Sequence, residues 1–250
     1  MYYGASDIGL IRSENQDNFT SITNENGDIL HIVCDGIGGG VAGDQASISS
    51  ISYLAEKFAA TGRFKSLSEA KYWFNETILE TNQHILAVAE AASISFGMGT
   101  TLLAAFLGSV GNFVMNIGDS RAFVVEAGQL HSLTTDHNLA NELYKQGKIE
   151  LSEVAHHPKR NVLTNAIGIK QELLIDVFDV PTAANLLLLS SDGLHDYVDF
   201  EVIEAVLLKE NFSLQAKVTE LINLSNQAGG FDNVTMILIE LLKDGKEDAR

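Results

Sequence analysis

The stretch His31–Ser47, HIVCDGIGGGVAGDQAS, sets an apolar run ahead of a glycine-rich loop in which Gly38–Gly43 spells G-x-G-x-x-G. Such a loop cradles a dinucleotide when one strand leads in, one helix leads out and a parallel strand follows. Here two helical patterns follow in succession. In the first, Ile48, Ile51, Leu54, Ala55 and Phe58 recur at helical spacing; in the second, Ser68 is the expected N-cap and Phe74, Ile78, Ile85 and Val88 share a face. The mouth of the loop also carries Asp35, a poor neighbour for a pyrophosphate unless a cation intervenes. A nucleotide-dependent oxidoreductase is thus a remote alternative, and the fold is sought outside the strictly alternating α/β class.

Strand-like runs precede the helix pair: YYGASDIG, DNFTSIT and DILHIVCDG, bounded by Gly, Asn and Asp. After it come GTTLLAAFLGS, NFVMNIGDS and RAFVVEAGQL, whose short Gly, Asn and Asp turns predict consecutive antiparallel hairpins. Residues 138–168 are irregular and polar, with short helical pieces in NLANELYKQG and LSEVAHH, and read as a surface flap. Strands resume in LLIDVFDV and NLLLLSSDG. Helices near Phe200–Leu208 and Leu214–Ala228 then precede a last strand, NVTMILIELL. Strands in blocks and helices in pairs give an α+β class. Strands apolar at nearly every residue must be covered on both faces. The expected architecture is a four-layer α/β/β/α sandwich, two mainly antiparallel sheets flanked by helix pairs, in one domain over 1–242 with a charged tail at 243–250.

The chain has 250 residues and a formal charge of -17, which repels nucleic acid and anionic membrane surfaces alike. No apolar stretch approaches the roughly 18 residues of a membrane helix, and no secretory signal pattern opens the chain. The sole cysteine, Cys34, reads as a small buried hydrophobe. A monomeric cytoplasmic protein is expected, with neither nucleic acid nor membrane as partner.

Two apolar runs end alike, at Asp35-Gly36 and Asp192-Gly193; Asp17, Asp119 and Asp232 stand beside Gly or Asn at other strand boundaries. Any one of these acids alone reads as a turn residue. As a set, converging at one edge of a sandwich, they require cations to stay ionised. Carboxylates with a backbone carbonyl, and no Cys or His at zinc spacing, suit Mg²⁺ or Mn²⁺. Arg12, shortly before Asp17, can fork onto two phosphate oxygens. There is no Walker A ending and no G-x-S-x-G.

In order, SDIGLIRSENQDNF, VCDGIGGG, GMGTTLLAAFLG, NIGDSRAFVVEAGQL, LTTDHN, LLLLSSDGLHDYV and GGFDNVTMILI resemble the motifs of the metal-dependent type 2C protein Ser/Thr phosphatases, in their compact bacterial form. The resemblance spans nearly the whole chain and implies the same layered sandwich. It implies that Asp35 bridges two Mn²⁺ or Mg²⁺ ions, with the Gly36 carbonyl on one and Asp192 and Asp232 on the other. Asp17 would hold metal-bound waters, Asp119 with Asp192 would form a looser third site, and Arg12 would bind the substrate phosphate. Activated water would attack phosphorus in line, leaving no phosphoenzyme. Catalysis is thus assigned to Arg12, Asp17 and Asp35. The substrates would be phosphorylated proteins, with a bacterial Ser/Thr kinase as the opposing partner.

Asn233 and Ser120 are expected to orient neighbours, Thr100 and Thr101 to pack, and His137 to serve structure. Gln16 stands where many relatives have Glu. Relatives usually carry a histidine in the loop after Asp-Gly, whereas Ile37–Gly43 has none. Loss of that general acid would cost roughly 10²-fold to 10⁴-fold on an alkoxide leaving group and little on an aryl phosphate. A weak or inactive phosphoprotein-binding regulator of the same fold is the second reading.

Overall fold

The computed structural model describes residues 1–38, 41–93, 97–169 and 172–241. Its strands are β1 Tyr2–Asp7, β2 Asp17–Thr23, β3 Ile29–Ile37, β4 Gly99–Thr100, β5 Leu102–Gly108, β6 Gly111–Ile117, β7 Arg121–Glu126, β8 Gln129–Ser132, β9 Asp176–Asp179, β10 Ala184–Ser190 and β11 Val234–Glu240. Its helices are α1 Val41–Ala59, α2 Leu67–Ala91, α3 Leu139–Lys145, α4 Leu151–Val154, α5 Asp192–His195, α6 Phe200–Leu207 and α7 Leu214–Gln227. One sheet runs β1-β11-β10-β7-β8 and the other β2-β3-β5-β6-β9, with β4 added to β3. The pairings between these strands are antiparallel.

The layers follow from strands that are apolar on both faces. Along β3, Leu30, Ile32 and Cys34 point to α1 and α2 and pack with Phe58 and Phe74, while Val33 points between the sheets. In β5, Leu102, Ala104 and Phe106 face the helices, and Leu103 and Ala105 face the other sheet. The second sheet mirrors this pattern. Leu188, Met236 and Leu238 meet Ile203, Val218 and Leu221 of α6 and α7, whereas Leu187, Leu189 and Ile237 fill the central layer. Period-two side-chain alternation thus divides each strand between two cores. The α+β sandwich of two antiparallel sheets is the expected one. Among the described residues the named strands pair antiparallel, without the parallel crossover that a dinucleotide fold needs.

Three expectations are corrected. β5–β6 and β7–β8 are hairpins, but β6 and β7 belong to different sheets. The chain crosses between them at Gly118–Ser120, with Gly118 at φ +108. Gly-Asp-Ser serves a crossing as well as a turn, so composition does not separate the two. The N-cap of α2 is Ser66, whose Oγ accepts from the Glu69 N–H at 3.1 Å, and Ser68 lies inside the helix. Finally, Asp35 does not end its strand, because β3 continues through Gly36 and Ile37 to pair with β4. The charged tail at 243–250 and Gly39 and Gly40 of the glycine loop lie outside the described residues. Among those described, no helix is long and apolar enough to cross a membrane.

Candidate metal centre

Strand register brings the first two acids together. Asp17, the first residue of β2, stands directly opposite Asp35 of β3. Like charges in that position repel, so the pair is unfavourable without a counter-charge. Both are held from behind. Ser191 Oγ donates to Asp17 Oδ2 at 2.6 Å and itself accepts from the Thr235 N–H at 3.0 Å. The Asp35 N–H donates to Thr101 Oγ1 at 2.9 Å, while Thr100 Oγ1 donates to the Asp35 carbonyl at 2.8 Å. Thr101 Oγ1 also meets Ser120 Oγ at 2.8 Å, which ties Asp35 to the crossing loop that carries Asp119. Thr100 and Thr101 therefore position backbone and do more than pack.

Asp192 opens α5, immediately after Ser191, and its Oδ1 is buried with no hydrogen-bond partner. Gly193 beside it is required, since a Cβ would collide with the Asn233 carbonyl. Asn233 braces the β1–β2 connection at three points. Its Oδ1 accepts from the Gln16 N–H at 2.9 Å, and its Nδ2 donates to the Ile8 and Glu14 carbonyls at 2.9 and 3.0 Å. Asp232, one residue earlier, accepts from Arg12 Nη2 at 2.7 Å, and Arg12 Nε donates to the Phe231 carbonyl at 3.3 Å. The Arg12 side chain is 52% exposed, leaving donors for an anion. Gly36 donates its N–H to the Gln16 carbonyl at 3.1 Å, and a Cβ there would run into the Gly43 and Gln16 carbonyls.

These five carboxylates lie in one another's fields. Burial first, then the charges of Asp17, Asp192, Asp119 and Asp232, push the Asp35 carboxyl well above the usual range. Burial and then Asp119, Asp232 and Asp17 do the same to Asp192. Asp17 is raised to about 6 by burial, against the hydrogen bonds from Ser191 and Thr235. Asp119 is raised to about 7 by burial and then by Asp136. A protein without a counter-ion would have to protonate such a cluster. An orphaned buried carboxylate oxygen, a like-charged cross-strand pair and an all-oxygen donor set instead fit hard cations. Among the described residues no group of three or more His, Cys, Asp or Glu side chains is gathered closely enough to hold a metal ion by itself.

Beside the acids a cavity of about 470 Å³ opens under the 138–168 segment, lined by Asp119, Asp192, Arg121, Asp136, His156 and Arg160. Arg121 forks onto Asp136 at 2.8 and 2.7 Å, and Asn161 Nδ2 donates to Asp196 at 3.1 Å. His137 is buried and serves as a brace. Its Nδ1 accepts from the Gly118 N–H at 3.2 Å and from Asn165 Nδ2 at 2.9 Å, so Nε2 carries the proton toward Asp176 at 3.1 Å. Of the other histidines, His31 is buried within β3, His84 stacks on Tyr53, and His157 accepts from the Lys159 N–H. Burial first, then the charge of Arg121, keeps His195 well below its ordinary range and thus neutral. His156 lines the cavity. Ser191 and Asp136 escaped the sequence reading. Ser191 was signalled only as the residue before Asp192 in SSDG, an N-cap position, and Asp136 only as the neighbour of His137 in TTDHN.

The sequence profile of the protein phosphatase 2C family matches residues 12–238. The serine/threonine phosphatase stp of Listeria welshimeri is 36% identical over 245 residues, covering 97% of each chain. Protein phosphatase PhpP of Streptococcus pneumoniae is 32% identical over 243 residues, covering 97% of this chain and 98% of that one. The solved serine/threonine phosphatase of S. agalactiae superposes with a TM-score of 0.88 at 34% identity, covering 97% of this chain and 99% of that one. Stp1 from Staphylococcus aureus superposes at 0.89 and 31% identity, covering 96% and 94%. The chain belongs to the protein phosphatase 2C family, a metal-dependent family, and is a serine/threonine phosphatase.

Proposed function

We propose that Asp17, Asp35, Asp119, Asp192 and Asp232 would hold two Mn²⁺ or Mg²⁺ ions, with a third at the looser end, and that the site hydrolyses phosphoserine and phosphothreonine in proteins. The observation that carries this reading is the pair Asp17 and Asp35, directly opposed across β2 and β3 beside the unpartnered Oδ1 of Asp192. Asp35, the Gly36 carbonyl, Asp192 and Asp232 would hold the two ions, as in the family the chain resembles. Asp119 with Asp192 would serve the third position. When bound, such ions supply Lewis acidity and lower the pKa of water.

The chain's own groups do the rest. Asp17, fixed by Ser191, orients water at the cluster, and Arg12 turns its free N–H groups to the substrate phosphate. Residues 1–242 would work as one catalytic unit, with 138–168 as a flap over the cavity. The enzyme would act as a cytoplasmic monomer against a Ser/Thr kinase.

Phosphate release from a phosphothreonine peptide tests the reading. Turnover with Mn²⁺ should vanish with chelator and fall at least about 10²-fold in Asp35→Asn. Metal-independent turnover, or full activity in Asp35→Asn, would refute it.

A further inference from the structure

Around Arg12 the surface is unusually apolar for so acidic a chain. Leu10 is 67% exposed, Ile11 66% and Phe231 50%, in two loops laid side by side. The Leu10 and Ile11 N–H groups both donate to the Gly230 carbonyl, at 2.8 and 3.1 Å, and Arg12 Nε donates to the Phe231 carbonyl. Tyr197 packs on the Phe231 ring with centroids 5.6 Å apart. Arg12, next in the chain, donates to both the Phe231 carbonyl and Asp232, so the lip adjoins the acid cluster at the guanidinium. Clustered apolar side chains of this size on a surface mark a contact site.

We propose that this lip, Leu10, Ile11 and Phe231, docks a bulky apolar side chain one or two positions from the phosphorylated residue of a protein substrate. The inference rests on the phosphatase site proposed above and names its substrate class. Leu10 and Ile11 directly precede Arg12, and Arg12 Nε donates to the Phe231 carbonyl, so a peptide whose phosphate meets Arg12 passes beside the lip. The charge balance points the same way. A net charge of -17 opposes acidic flanks, and the exposed side chains of the lip are apolar, so hydrophobic contact is the attraction the lip itself offers.

Two phosphothreonine peptides of equal length and charge, with Leu or Ser flanking the phosphoresidue, decide it, alongside p-nitrophenyl phosphate. The wild type should favour the Leu peptide about tenfold in kcat/KM, through KM, a gain on the scale of a methylene in a pocket. Leu10→Ser/Ile11→Ser, and Ile11→Ser alone, should erase that preference relative to their own aryl phosphate rate. No preference in the wild type, or preference retained in both variants, would overturn the proposal. A change of sedimentation in the variants with the preference intact would show that a second copy covers the lip, which also overturns it. Anisotropy of the labelled peptides reads the same preference without turnover. Phosphate release from none of the three substrates would then count against the catalytic reading while the docking result stands separately.

Discussion

His31 lies on the strand that carries Asp35, yet its surroundings make it the opposite of a catalytic group. It is fully buried, its Nδ1 meets Ser21 Oγ at 2.7 Å, and Tyr2 packs edge-on against the ring. Burial, and then the charge of the chain's N-terminus, lower its pKa from 6.5 to about 4. Between those values the unfolded chain binds the extra proton, so this residue's contribution is intact above pH 6.5 and is lost as pH falls toward 4. Full loss amounts to about 3 kcal/mol. Urea unfolding of the wild type and His31→Gln from pH 7 to 4 should show the wild type losing that much more than the variant; parallel curves would refute the assignment. Cys34, three residues on, is equally inert, its thiol pushed up by burial. At this scale the acids were legible because Asp beside Gly or Asn marks strand boundaries. Ser191 was not, because its importance comes from a hydroxyl reaching Asp17 across 174 positions of sequence.

Among the elements, α2 shows where local pattern misleads. Ser66 and Ser68 both precede an apolar helical stripe, and the choice depends on the side chains three positions on. Glu69 settles it, since its N–H donates to Ser66 Oγ and its Oε2 accepts from the Lys65 N–H at 2.6 Å. Ser66→Ala should cost about 1 kcal/mol in urea unfolding, the usual worth of an N-cap. Ser68→Ala, exposed within the first turn, should stay within about 0.5 kcal/mol. Equal effects would move the cap back to Ser68. The β6–β7 connection resisted sequence reading for a related reason. Whether a Gly-Asp-Ser turn closes a hairpin or crosses between sheets depends on which sheet receives β7. Here β10 and β8 do, and the Thr101–Ser120 hydrogen bond fixes the crossing.

Over the whole molecule, the layering was legible because a strand apolar at every residue has to be covered twice, and two helix pairs are available to cover two sheets. The site was legible only as a set of candidates. Sequence places Asp17, Asp35, Asp119, Asp192 and Asp232 beside turn residues, and it takes the antiparallel register of β2 and β3 and the Asn233 brace to show how their segments meet. The same assembly leaves Asp17, Asp35, Asp119 and Asp192 where burial and neighbouring charges oppose ionisation, a cost that the proposed cations would offset. Calorimetric titration with Mn²⁺ tests this most directly. Wild-type protein should bind at least two ions, and Asp35→Asn should lose both high-affinity events while keeping its fold by circular dichroism. An Asp35→Asn protein that binds Mn²⁺ with wild-type number and affinity would contradict the account.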